Sequence, residues 1–95
     1  MSLKNTHKAP DSEVIALNCL TFLAEDGERL GRFLALSGVS PEMLRAQARE
    51  PSFLAGVFDY LLSDETLLLA FCEARDLKPE TVIRARLRLP GAASC

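Results

Sequence analysis

The sequence predicts an all-α protein, folded as a compact orthogonal bundle of about six short helices. Alanine and leucine supply 29 of its 95 residues, whereas valine, isoleucine and threonine supply only 10, and this ratio favours helix over sheet. Residues that cap or start helices recur at regular intervals along the chain. Apolar residues make up 48% and charged residues 25%, which excludes a disordered chain and a membrane-embedded one.

Residues 11–90 are predicted to form a single domain, because a chain this short has room for only one hydrophobic core. Residues 1–10 are largely polar and end in a proline, which predicts a flexible N-terminal arm. Residues 91–95 are small and follow another proline, so we expect a flexible C-terminal tail.

The first two helices are predicted over residues 12–24 and 27–37. Asp26 between them offers a side-chain oxygen to the free amides of the following turn, which is typical of an N-cap. Gly38 suits the left-handed residue that closes a helix. These two residues therefore set the start and the end of the second helix.

The third and fourth helices are predicted over residues 41–49 and 52–62. Ser40 is a good N-cap residue, and Pro41 suits the first turn of a helix, where a missing N–H has no cost. Pro51 marks the start of the fourth helix for the same reason.

The last two helices are predicted over residues 65–75 and 80–88, with Asp64 as the N-cap of the first and Pro79 in the first turn of the second. Residues 83–89 also alternate between apolar and basic residues, as an amphipathic strand would. A lone strand would have no partner in this sequence, so the helix is the preferred interpretation.

An internal repeat appears when the chain is shifted against itself by 38 residues. The identical pairs are Leu23 and Leu61, Asp26 and Asp64, Leu30 and Leu68, Phe33 and Phe71, Pro41 and Pro79, and Glu42 and Glu80. They fall at caps, at expected core positions and at prolines after turns, which predicts two related three-helix halves. Convergence of two unrelated segments on one helix–turn–helix geometry is the alternative.

The fifth predicted helix is apolar around nearly its whole circumference. One interpretation is a central helix that its neighbours surround within the monomer. The other is a surface for self-association or for a protein partner, with Leu67, Leu69 and Ala70 as the candidate contact residues.

The last predicted helix is basic, with Lys78, Arg84 and Arg88 as candidate contact residues for an anionic partner. The net charge of −2 disfavours nucleic acid as that partner. A DNA-reading helix–turn–helix around Gly38 is also disfavoured. Leu34 stands where such a motif needs a small residue, and Glu42 places negative charge at the start of the reading helix.

The sequence offers no assembled catalytic or metal-binding group, so we expect a non-enzymatic protein without a cofactor or an evident small-molecule substrate. His7 is the single histidine and lies in the polar arm. Cys19 and Cys72 fall on apolar helical faces, and Cys95 is at the chain end, so neither a Cys-x-x-Cys motif nor a nucleophile beside a base can be drawn.

The cysteine usage and the apolar runs predict a cytoplasmic protein. Three scattered cysteines do not suggest a disulfide framework, which points to a reducing compartment. No cleavage signal follows the first apolar run, and the longest such run, residues 67–72, is far shorter than a membrane span.

Several strings of the sequence resemble small bacterial proteins of the domain-of-unknown-function family 3572. The strings are FLAED at 22–26, LGRFLAL at 30–36, FL at 53–54, YLL at 60–62, DE at 64–65, LLLAF at 67–71 and PE at 79–80, with Gly38 and Pro41 between the second and the third. The resemblance covers residues 14–89 and implies a helical cytoplasmic protein. It implies no activity, cofactor or functional residue.

The leading hypothesis is therefore a non-catalytic protein-interaction or regulatory module, with a homodimer through the fifth helix as its most specific form. The alternative is a nucleic-acid-binding accessory protein that uses the basic C-terminal helix. An enzyme would require a deep polar pocket with a strongly perturbed carboxylate.

Overall fold

The structure, a computed structural model, describes residues 12–89 and shows six α-helices and no strand in that range. The helices are α1 (Ser12–Ala24), α2 (Gly27–Ser37), α3 (Leu44–Gln47), α4 (Pro51–Leu62), α5 (Glu65–Arg75) and α6 (Pro79–Leu87). The all-α prediction is confirmed, and the final segment is a helix rather than a strand. The predicted arm at 1–10 and tail at 91–95 lie outside the described residues.

Residues 41–49 do not form the single continuous helix that the sequence predicts. A short 3₁₀ turn, Pro41–Met43, leads into an α3 of only four residues. None of these residues is buried, and Leu44 is the half-buried one among them that packs against the core, so little tertiary packing supports the helical conformation there. A short helix with so little packing is marginal in water, which explains why it ends after one turn.

Two aspartates cap helices as the sequence predicts. The Asp26 carboxylate accepts hydrogen bonds from the backbone amides of Glu28, at 3.0 Å, and Arg29, at 3.4 Å. The Asp64 carboxylate accepts one from the amide of Leu67 at 3.1 Å. Ser40, the third predicted cap, occupies the N-cap position before Pro41 but makes no side-chain cap bond, so its position is confirmed and its capping bond is not.

Two helices end at a residue in the left-handed region. Gly38 has a φ of 74° after α2, as its sequence position predicts, and Asp76 has a φ of 57° after α5. A short polar side chain is among the few that tolerate this conformation. The turn at Asp76 is closed by the amide of Leu77, which donates to the carbonyl of Cys72 at 2.9 Å.

The core is organised around α1 and α4, which make the most extensive contact between helices. α2 packs on α1, α5 packs on α4, and α6 packs on both. The largest side chains that are fully buried are Phe58, Phe71, Leu23, Leu54, Leu61, Val57, Val82 and Cys19. The apolar faces of five helices therefore share one core, to which α3 contributes no buried residue.

Two aromatic contacts occupy positions that the 38-residue shift relates. The ring centroids of Phe22 and Phe71 are 5.5 Å apart, and those of Tyr60 and Phe33 are 5.2 Å apart. The third helices of the two halves differ, however, because α6 packs against the core and α3 has no buried residue. The relation between the halves therefore stays a prediction.

We expect the Asp26→Ala and Asp64→Ala variants each to lower the free energy of unfolding by about 1 kcal/mol, because each loses its cap hydrogen bonds. Ser40→Ala is the matched control and should change the stability by less than about 0.5 kcal/mol. Chemical denaturation followed by circular dichroism measures all three. An equal loss at Ser40 would contradict the capping assignment.

Candidate interaction surface

An apolar groove of about 310 Å³ opens between α2 and α4, and we call it the α2–α4 groove. Its aromatic lining consists of Phe33 from α2 and of Phe53 and Tyr60 from α4. The Phe33 ring centroid lies 5.7 Å from that of Phe53 and 5.2 Å from that of Tyr60. Gly56 also lines the groove, and a Cβ added there would meet no atom within 4 Å. The groove therefore has room for an apolar side chain from outside the monomer.

The rim of the α2–α4 groove carries one large apolar side chain among small, uncharged ones. Leu36 is 73% exposed, more than any other large hydrophobic residue among those described. The exposed residues beside it in sequence are Ala35 and Ser37, and Ser52 lies on the α4 side. Small side chains allow another backbone to approach closely, so this rim suits contact with a helix.

A second pocket of about 140 Å³ lies between α2 and α5 and shares Tyr60 with the α2–α4 groove. Arg29 and Arg32 line it from α2, and Leu67 and Ala70 line it from α5. The second pocket is thus more polar than the groove beside it.

Of the three apolar residues that the sequence analysis grouped on α5, the structure keeps Leu67 and Ala70 together at the second pocket and separates Leu69 from them. Leu67 is only 7% exposed and belongs to the core, whereas Leu69 is 49% exposed and Ala70 is half-buried. Leu67 and Leu69 are two positions apart, so their side chains point to different sides of the helix. They do not form one surface, and a partner at Leu67 would have to displace core contacts.

The three basic residues that the sequence analysis singled out are all exposed. Lys78 precedes α6, Arg84 lies within it, and Arg88 follows its last turn. Arg86, between them, has a different role, because its guanidinium donates to both carboxylate oxygens of Asp59, at 2.7 and 3.2 Å. This bidentate pair links α6 to α4.

The α2–α4 groove is not evident from the sequence, because its walls come from residues about twenty positions apart in the chain. A local signal exists in Gly56, a glycine inside a helix, where it costs stability relative to alanine. The exposure of Ile83 and Leu87 on α6 is likewise not evident, since both residue types are usually buried.

The two described cysteines are suited to the core and not to nucleophilic catalysis. Burial raises the pKa of the Cys19 thiol from 9.0 to about 12, and burial likewise raises the pKa of Cys72. The thiolate, which is the nucleophilic form, is therefore rare at neutral pH. Within residues 12–89, no group of three or more potential ligand side chains could hold a metal ion.

Comparison with known proteins gives one match. The model of a family described as "Protein of unknown function (DUF3572)" matches residues 9–92. No curated protein matches the chain, and no solved structure matches it. Among the described helices, none has both the length and the apolar character needed to cross a membrane.

The buried thiol of Cys19 predicts a loss of stability at alkaline pH. The unfolded thiol loses its proton near pH 9.0, whereas the folded one keeps it until about pH 12. The contribution of this thiol to the free energy of unfolding is therefore fully present below its pKa in the unfolded chain. It is lost as the pH rises towards its pKa in the folded protein, by up to about 1.4 kcal/mol per pH unit.

Denaturation of the wild type and of Cys19→Ala across this pH range checks the expectation. The variant should be less stable at neutral pH, because a small cavity remains, but its stability should fall less steeply with pH. If the free energy of unfolding fell equally steeply with pH in the two proteins, the loss would not come from Cys19.

Proposed function

We propose that this chain, which belongs to the DUF3572 family of proteins of unknown function, is a non-catalytic protein-interaction module that pairs with a second copy of itself through the α2–α4 groove. One observation carries the proposal. A strongly exposed leucine, Leu36, stands at the edge of an apolar groove that no other part of residues 12–89 covers.

A projecting side chain beside a groove is the arrangement that a symmetric dimer requires. In a two-fold contact the same surface is used by both copies, so each must offer both the inserted group and its receptor. Leu36 supplies the inserted group, and the aromatic lining with Gly56 supplies the receptor. Burial of two leucine side chains at once would contribute about 1.5–3 kcal/mol for each one fully buried.

The charge distribution around the groove supports contact between identical surfaces. Residues 33–41 on the α2 side and residues 51–58 on the α4 side include no charged residue. Two copies can therefore meet across these segments without burying an unpaired charge, while Arg32 and Asp59 lie just beyond the segments. Such a contact then depends on shape, and the small side chains of Ser37 in the groove wall and of Ala35 beside Leu36 leave room for a close approach.

The nucleic-acid alternative has less support. Its basic residues, Lys78, Arg84 and Arg88, are few, and the exposed Glu80 lies one turn before Arg84 on the same helix. Phosphate-backbone binding normally draws on a larger basic surface. The chain also carries a net charge of −2, which opposes approach to a polyanion.

We expect the wild type to dimerise at micromolar concentration and the Leu36→Asp and Gly56→Leu variants to dimerise at least about ten-fold more weakly. The first removes the inserted leucine, and the second places a side chain in the receptor from Gly56, where an added Cβ meets no atom within 4 Å. Sedimentation equilibrium over a range of concentrations gives the dissociation constants.

Two controls make the comparison specific to the groove. Gly56→Ala should preserve the dimer and stabilise the monomer by up to about 1 kcal/mol, because alanine favours helix. Leu69→Asp introduces the same charge at the exposed leucine of α5 and should also preserve the dimer. A wild type that stays monomeric, or a dimer lost at Leu69 and kept at Leu36, would overturn the proposal.

A further inference from the structure

The outward side of α6 carries an apolar ridge beside a basic one, and we call these four residues the α6 outer face. Ile83 is 45% exposed and Leu87 is 61% exposed, and they lie one turn apart. Arg84 and Arg88 follow them directly in sequence and are also one turn apart and exposed. The two ridges therefore run side by side along the helix.

The two arginines of the α6 outer face differ from the other arginines of α2, α5 and α6 in having no carboxylate partner among residues 12–89. Arg84 and Arg88 have no carboxylate of the described residues within the 4.0 Å of an ion pair. The pairs that do form are Arg29 with Asp26, Arg32 with Glu28, Arg75 with Glu25, and Arg86 with Asp59. The charge of the α6 outer face is thus directed to solvent.

We propose that the α6 outer face binds an acidic amphipathic helix of a partner protein. Apolar side chains one turn apart on the partner would cover Ile83 and Leu87, which is the usual arrangement when a helix docks by its apolar face. Carboxylates along one edge of the partner helix would pair with Arg84 and Arg88. The charges then select the partner and its orientation, while the apolar contact excludes water.

The same charges disfavour a second copy of the chain at this face. A two-fold contact between two α6 helices would bring the Arg84 and Arg88 ridges of the two copies together, with only Glu80 of each copy on that row of α6 to offset them, and an excess of like charge at an interface is unfavourable. The α6 outer face is therefore distinct from the self-association through the α2–α4 groove, and either can be correct without the other.

Nucleic acid is also disfavoured at this face, because its backbone offers phosphates but no apolar cover for Ile83 and Leu87. The two cases differ in what they require. A phosphate backbone needs only the arginines, whereas an acidic helix needs both ridges. Substitutions in the basic ridge and in the apolar ridge, made separately, therefore distinguish a nucleic acid from an acidic helix.

The test uses the full-length chain and a synthetic helical peptide with leucines one turn apart and glutamates beside them, followed by fluorescence anisotropy. A matched peptide with lysine in place of each glutamate is the first control. The wild type should bind the acidic peptide at least about ten-fold more tightly, with an affinity that falls as salt is added.

Each ridge is then removed separately. Arg84→Glu with Arg88→Glu, and Ile83→Ser with Leu87→Ser, should each weaken binding of the acidic peptide by about ten-fold or more. Arg45→Glu reverses the charge of an exposed arginine on α3 and should leave binding unchanged. Because all five substitutions are at exposed positions, the helical circular dichroism of the wild type should be retained.

Two results would overturn the proposal. One is equal affinity of the wild type for the acidic and the basic peptide. The other is binding of a DNA duplex that the arginine reversals abolish and the serine substitutions leave unchanged, since that result assigns the face to phosphates. The Leu36→Asp variant should bind the acidic peptide as the wild type does, so failure of the dimer and failure of this site remain distinguishable.

Discussion

The contact between α1 and α4 is the constraint on which the rest of the fold depends. Both helices bury residues on more than one side, so each needs covering helices of its own. α2 covers α1, α5 covers α4, and α6 lies against both. Among the helices of residues 12–89 none covers the surface where α2 meets α4, which stays open there as a groove.

The local features of the sequence predict the local structure well, because their causes lie within a few residues of one another. The side chains of Asp26 and Asp64 reach amides in the next turn, and Gly38 adopts the left-handed conformation that glycine allows. The bounds predicted for the first, second and fifth helices agree with the structure for this reason. Asp76 ends α5 in the same conformation, although aspartate is a weaker signal than glycine.

The candidate surfaces could not be predicted in the same way, because they depend on which side of each helix meets its neighbours. Leu67 and Leu69 have the same hydrophobicity, yet packing buries one and exposes the other. The α2–α4 groove forms only when Phe33 and Phe53 are brought together by the fold. The basic residues of α6 are visible in the sequence, but that Arg86 pairs with Asp59 while Arg84 does not is a tertiary result.

The two buried thiols make it possible to measure how often parts of the core open transiently. Cys19 on α1 and Cys72 on α5 are shielded from reagents as long as the core is closed. An alkylating reagent can modify either one only when part of the bundle separates, so the labelling rate at each site measures how often that part opens. Different labelling rates at the two cysteines would show that α1 and α5 open separately. Equal rates would show that the bundle opens as one unit.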